Sequence, residues 1–444
     1  MKKMFTIDSY HVPVKYEPDV CIIGAGPAGV AAAIAAARLK LSVLLIEKYG
    51  FCGGATVAGL SGTICGLFSS GNNPEQIVFG FADEFYSALQ NKHAVVKPVK
   101  FGKTLLVPHD SLKWKETADE LLAAHNCSIL YHTNFLNAYT DDDGCISYLL
   151  LKSPEGQYAV KPKIVIDASG DAEVVHSINL ETTFGNNGQV QTPTMIFKMA
   201  NVDMKAFLQL DPHDLNAKIE TAHLTGRYHL PRHHVYVFPL PNSGEVLCNM
   251  TRITYPDGSV PTGIHSTDLT FAETEGRRQA REYASFLIEN IDAFRDAYMS
   301  DTGAQVGIRQ TRSIAGVARL MNNDVIHAIK NKNAITHSAW PIELHAAGGL
   351  KIHYPEDDFY DIPFETLIPK NAVNVLVAGR CMSAEHEALA SARVTAQCFG
   401  MGYAAGAAGG LMLKENITAT TLNGVMVKEW MKENNLKNAN ETPM

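Results

Sequence analysis

The stretch "VCIIGAGPAGVAAAIAAARL", residues 20–39, decides the fold, and its only charge is Arg38. A membrane span needs about twenty predominantly apolar residues without an internal break. Gly24, Gly26, Pro27 and Gly29 supply that break, so the run is two elements. Val20 to Ile23 reads as a short buried strand of a parallel sheet, and Ala28 to Leu39 as an alanine-rich helix. Pro27 is tolerated at the helix start because the first turn has no amide partner to lose. The glycines between have GxGxxG spacing. Gly24 suits a tight turn, Gly26 lets a pyrophosphate approach the backbone, and Gly29 lets the helix lie close to the strand. The helix start adds free amides and about half a positive charge. "LSVLLIE" then reads as a second strand ending on Glu47, where a carboxylate can accept hydrogen bonds from a ribose. Strand, turn, helix, strand and acid stand in the order that a dinucleotide site requires.

The chain has 444 residues, 46% of them hydrophobic, and a formal net charge of -8. That length suits two or three domains, and the composition is that of an ordinary globular enzyme. A mildly acidic chain without Lys/Arg runs argues against nucleic acid or an anionic membrane as the main partner. The opening "MFTIDSYHVPVKYEP" has no apolar core of a secretion signal, so a cytoplasmic location is expected. The eight cysteines include no CxxC pair, which leaves out the commonest zinc and redox spacings, and no metal is expected.

Beyond Glu47, "KYGFCGGATVAGLSGTICGLFSSG" is too rich in glycine for regular structure and too apolar for a solvated linker, as expected of a loop against a ligand. Helical spacing follows in "PEQIVFGFADEFYSALQ" and in "HDSLKWKETADELLAAHN", the latter with Asp110 as N-cap. Asp143-Gly144 reads as a hairpin turn between apolar runs. Ile164 to Ala168 is another buried strand, and it delivers Gly170 and Asp171 beside the nucleotide; Asp171 reads equally as a helix cap. From about 186 to 300 the texture changes to strands of a second sheet plus a long helix beginning near Asp268. The segment "HSAWPIELHAAGGLKIHYPEDD" reads as polar and loop-like, "VNVLVAG" as a returning strand, and "SARVTAQCFGMGYAAGAAGGLMLKE" as helical.

These blocks resemble the glutathione-reductase-like FAD superfamily and, within it, the FAD-dependent oxidoreductase family related to fumarate reductase flavoproteins. The resemblance rests on Gly24, Gly26 and Gly29 with Glu47, on "GFCGGATVAGL", on "DASGDA" at 167–172, on "GIRQTRSIAG" at 307–316, and on "NVLVAGRCMSAEHEALASARVTAQCFGMGYAAG" at 374–406. It implies an α/β fold: a Rossmann-like FAD-binding domain of three layers around a parallel sheet, with an inserted α+β substrate domain. The boundaries expected are 1–185 and 361–418 for the FAD domain, 186–300 for the insertion, 301–360 for a connecting substrate-site segment, and 419–444 for a terminal helix and tail. The resemblance also implies the cofactor contacts. Gly24, Gly26, Pro27, Ala28 and Gly29 belong to the pyrophosphate turn, and Glu47 with Lys48 to the ribose. Gly53, Gly54, Ala55 and Thr56 face the phosphate or ribitol, and Ala168, Gly170 and Asp171 lie beside the cofactor. Gly379 and Arg380 take the ribitol position, with His386 nearby, and Ser391, Arg393 and Val394 open the last helix at the pyrimidine edge.

A flavin exchanges hydrides or single electrons, so the protein must place a substrate carbon at N5 and supply a proton partner. Arg309 and Arg312 are three apart and would share one side if the segment turns helically, forming either a carboxylate clamp or a salt bridge between domains. His345 is a candidate proton carrier or a packing residue, His386 between the cofactor strand and helix is a candidate or a cofactor contact, and His353 and Glu387 are further candidates. Cys52 is a packing residue or, less simply, a reactive thiol. The function expected is hydride transfer between flavin N5 and a small polar, anionic metabolite, in an enzyme free to form a homo-oligomer. A flavoprotein electron-transfer subunit is the alternative, and a tRNA-modifying role is disfavoured by the charge balance.

Overall fold

The computed structural model describes residues 11–346, 348–356 and 358–440. A five-stranded parallel sheet forms the centre, in the order Val375–Val377, Ile164–Asp167, Val20–Ile23, Val43–Ile46, Ser128–Leu130. Every residue of its first four strands is buried. Covered on both faces, these strands carry unbroken apolar runs instead of alternation.

The helix Pro27–Arg38 leaves the first strand after the glycine turn, and the long helix Thr395–Glu415 packs along it. Their approach is backbone against backbone. A Cβ on Gly402 would lie 1.9 Å from the Ala28 carbonyl oxygen, and one on Gly406 would lie 2.2 Å from that of Ala32. Glycines four apart on one helix face thus seat the end of the chain on its beginning. The apolar run of residues 20–39 is consumed in this packing, and among the described residues no helix is long and apolar enough to cross a membrane.

A second sheet has the order Val14–Tyr16, Gly156–Val160, Ile146–Ser153, Asn134–Thr140, and contains the hairpin that turns through Gly144 at φ +81°. A third, antiparallel, runs Tyr236–Pro239, Val246–Asn249, Phe197–Ala200, Tyr298–Thr302. It packs with the helices Pro212–Leu224 and Ser266–Asn290 around its own core, which includes Phe197, Cys248, Ile219, Tyr283, Phe286 and Phe294. A smaller cluster of Leu60, Phe101, Leu106, Phe238, Leu247 and Trp340 joins segments from both regions.

Three expectations change in the structure. The segment expected to be loop-like, 337–358, contains a hairpin of Ile342–Ala346 with Gly349–His353, and it opens on the last two residues of the strand Ala334–Ser338, which pairs with Tyr360–Pro363. Its polar residues hid the strand pattern, because Glu343 and His345 face the interior and satisfy each other. The segment around Arg309 is extended, ending in the strand Arg312–Ile314 against Thr182–Phe184. The last helical region is broken into His386–Ala392 and Thr395–Glu415, leaving Arg393 and Val394 in the break.

Candidate active site

A cavity of ≈340 Å³ opens at the carboxyl ends of the central strands and runs toward the antiparallel sheet. Its two ends are built differently.

At the first end the lining is largely backbone. Gly24 turns at φ +98°, and a Cβ there would strike the Ala168 carbonyl oxygen at 2.5 Å. A Cβ on Gly29 would come within 1.8 Å of the Gly24 oxygen, so Gly29 is the close-packing position; neither it nor Gly53 lines the cavity. Gly26 faces Gly54 across a cradle: a Cβ on Gly54 would lie 3.0 Å from the Gly26 Cα. Gly26, Pro27, Ala28, Gly54, Ala55 and Thr56 all line this end. No side chain caps the helix that starts at Pro27, which leaves its first amides for a phosphate.

Glu47 is 5% exposed. Its Oε2 accepts from the Ala25 amide at 2.8 Å and its Oε1 from the Tyr49 amide at 2.9 Å. Burial raises its pKa, with these two hydrogen bonds working against the rise. A carboxylate has about four acceptor positions, so both oxygens keep capacity for ribose hydroxyls. Lys48 lies beside it on the lining.

The "DASGDA" segment divides its two acids. Asp167, fully buried, accepts from the Val174 and Val175 amides through Oδ2 and from Ser169 through Oδ1. It therefore organises the turn and the short helix Glu173–Ser177, while Asp171 is released to the cavity. There Asp171 Oδ1 takes a 2.8 Å ion pair from Arg380 and a 2.6 Å hydrogen bond from Thr311. Ala168, Gly170, Gly379 and Arg380 line the same wall. Ser391 lies elsewhere: fully buried, it bonds Tyr360 and the Trp340 carbonyl and buttresses the wall from behind. His386 begins its helix off the cavity lining, with Nδ1 buried and unpartnered among the described residues.

The second end is made of side chains from distant segments. Phe101, Tyr236, Phe238 and Trp340 form an aromatic wall, with Phe101 and Trp340 stacked at 5.0 Å and Phe101 and Tyr236 tilted by 52° at 4.9 Å. Against it stand Arg309, Glu343, His345 and Arg393. Arg309 is 8% exposed, and its Nη1 donates to the Thr192 carbonyl at 2.6 Å. Burial first, then Arg232, Arg393 and Arg252, lower its pKa; Glu343 opposes them. His345 Nε2 lies 3.0 Å from Glu343 Oε1. Burial and Arg309 depress the His345 pKa well below its ordinary value. Burial pushes Glu343 up, but the His345 hydrogen bond and the charges of Arg309 and Arg232 work against it and hold the acid well below the usual carboxylate range. The pair is thus an ionised carboxylate and a neutral imidazole. Since a carboxylate only accepts, Nε2 carries the proton and Nδ1 the lone pair. Arg393, pulled down to about 10 by burial, donates to Gln191 at 3.1 Å.

Arg312 does not join Arg309. In extended chain, residues three apart point to opposite sides, and Arg312 instead donates to the Asp171 carbonyl at 3.3 Å, off the cavity lining. His353 and Glu387 are likewise off the lining. Cys52 is buried with its Sγ 3.2 Å from the Tyr131 hydroxyl, and burial raises its thiol to about 12, the condition of an inert, packed cysteine. Among the described residues no group of three or more His, Cys, Asp or Glu side chains is placed to hold a metal. Sequence reading missed the aromatic wall, Glu343 and Asn249. Only Glu343 left a local signal: two positions before His345 in one strand, it shares its face.

The glycine cradle, the helix start and the acid on the second strand suit a dinucleotide whose diphosphate lies along backbone, and the cavity beyond leaves a place for a ring system. Fold and site together define an FAD-binding oxidoreductase. The chain belongs to the FAD dependent oxidoreductase family, whose sequence profile matches residues 19–431. No curated protein matches the sequence. Among solved structures, a geranylgeranyl bacteriochlorophyll reductase-like protein from Thermoplasma acidophilum shares the fold at 15% identity and a TM-score of 0.50, over 96% of this chain and 84% of that one. Weaker likeness extends to a flavoprotein/dehydrogenase from Cytophaga hutchinsonii, at 14% identity and a TM-score of 0.46 over 94% of this chain and 83% of that one. The flavin-dependent brominase Bmp2 gives 12% identity and a TM-score of 0.48 over 94% and 84%.

Proposed function

We propose that the enzyme oxidises a small metabolite bearing a carboxylate or similar anionic group. When bound, FAD supplies the two-electron partner, exchanging hydride with a substrate carbon at N5. The carrying observation is the charge at the side-chain end of the cavity, where, among the described lining residues, the guanidinium groups of Arg309 and Arg393 face the carboxylate of Glu343, itself bonded to His345. Buried cations without matching anions are costly, and an anionic ligand relieves that cost. Arg309 holds the anionic end through the donors that Thr192 does not take, and the aromatic wall receives an apolar or planar portion. The wall refines the expectation of a wholly polar substrate.

His345 sets the direction. As a neutral imidazole oriented by Glu343, it receives a proton at Nδ1 as the substrate gives up a hydride. The cofactor groups keep their expected assignments: Gly26, Gly54 and the first turn of the helix at the diphosphate, Glu47 at the ribose, Arg380 and Asp171 at the ribitol side, and Arg393 at the ring edge. The unit around the antiparallel sheet serves as the substrate domain, since it contributes Tyr236, Phe238 and Asn249.

The test is anaerobic mixing of the holoenzyme with a panel of hydroxy and amino acids, each beside its uncharged amide, with flavin absorbance as the readout. An acid is expected to bleach the flavin where its amide does not. Equal bleaching by both members of every reactive pair would refute the role given to Arg309.

A further inference from the structure

A second cavity, of ≈510 Å³, is lined by Arg232, His233, His234 and Arg252 on one side and by Leu350 and Ile352 of the hairpin on the other. Among the described residues no acidic side chain lines it. Arg232 is 2% exposed, and it is tied toward the first cavity: Nη1 donates to Asn249 Oδ1 at 2.8 Å, and its guanidinium lies 5.4 Å from the centre of the Tyr236 ring. Its Nε donates to the His234 carbonyl at 2.8 Å. The remaining nitrogen, Nη2, has no partner among the described residues; neither has Arg252 Nε nor His233 Nε2. Two guanidinium donors on one cavity wall are therefore unmatched, and His233 Nε2 beside them, a donor when the ring is protonated there, also lacks a partner among the described residues. Glu220 Oε1 stands 4.0 Å from the other nitrogen of His233, and Glu343 is bonded to His345.

Buried donors of this kind require an acceptor, and two guanidinium groups require a negative one. We infer that this cavity is a second binding site, for a small oxyanion-bearing ligand whose carboxylate or phosphate group meets Arg232, Arg252 and His233. Its volume falls in the range of small-molecule sites, and Leu350 and Ile352 leave an apolar wall for a short carbon skeleton. The inference goes beyond the proposed reaction and uses none of the residues that line the flavin cavity.

The test is calorimetric titration of the FAD-loaded enzyme with two probes, inorganic phosphate and succinate, while the flavin spectrum is followed. At least one probe is expected to bind without perturbing the flavin. Phosphate alone points to a phosphate or phosphate ester as the natural ligand, and succinate to an organic acid. Arg252→Gln and His233→Gln should each weaken binding about 10-fold or more, at unchanged FAD content, whereas Arg309→Gln should leave it within about 2-fold. His233 is only partly buried, so its variant carries the test if Arg252→Gln fails to fold. Absence of binding by both probes, binding untouched by the foldable variants, or binding lost with Arg309→Gln would overturn the inference. Loss of the proposed substrate reaction with this binding intact would fall on the flavin cavity alone.

Discussion

The two ends of the flavin cavity are different kinds of construction. The cofactor end is an arrangement of backbone, made possible by Gly24, Gly26 and Gly54 and by the bare start of the helix Pro27–Arg38. The far end is an arrangement of side chains: Phe101, Tyr236, Arg309, Trp340, Glu343 and Arg393 come from segments up to hundreds of residues apart. A backbone site tolerates little change in shape, and its few charges, Glu47 and the Asp171–Arg380 pair, are held by neighbouring amides or by each other. A side-chain site tolerates substitution structurally and loses chemistry one group at a time.

The contrast breaks first at Gly29. In Gly29→Val the added Cβ alone meets the Gly24 oxygen at 1.8 Å, so the turn must shift or open. The expected result is FAD content below about one tenth of wild type, or failure to accumulate folded chain, read from flavin absorbance per protein. Retention of full flavin content would remove the close-packing argument.

Arg309→Gln should leave flavin content intact while kcat/KM falls roughly 100-fold, the scale of losing one partner of a buried charge pair. Glu343→Gln should lower kcat about 10-fold, because His345 loses the acceptor that fixes its tautomer. The same pair sets a pH behaviour. The active form of His345 is neutral and its pKa lies well below the ordinary value, so falling pH does not protonate it near 6.5. The profile of kcat/KM should show no acid limb at that point, and a limb centred there would contradict the assignment. The smallest effect belongs to Arg312→Gln, expected within about 2-fold of wild type in kcat/KM, since its side chain turns to the Asp171 carbonyl.

What could be read from sequence follows the same divide. Residues 20–47 specify their structure locally: the glycines, the helix start and Glu47 act within one strand-turn-helix-strand unit, and their spacing is their geometry. Arg380 and Asp171 were legible through motif position, although their mutual ion pair was not. Glu343 was hidden because a strand with buried polar residues does not alternate in the ordinary way, and its partner compensates for burial that composition cannot show. Arg312 misled because three-residue spacing has a meaning only once helix or strand is known. Phe101 and Trp340 meet only through tertiary packing, which nothing in either neighbourhood announces.

The most direct measurement is titration of the oxidised flavin spectrum with a carboxylate inhibitor or substrate analogue in wild type and in Arg309→Gln, at matched FAD content. The account predicts a saturable spectral change in wild type and affinity at least about 30-fold weaker in the variant. Equal affinity in the two proteins would contradict it.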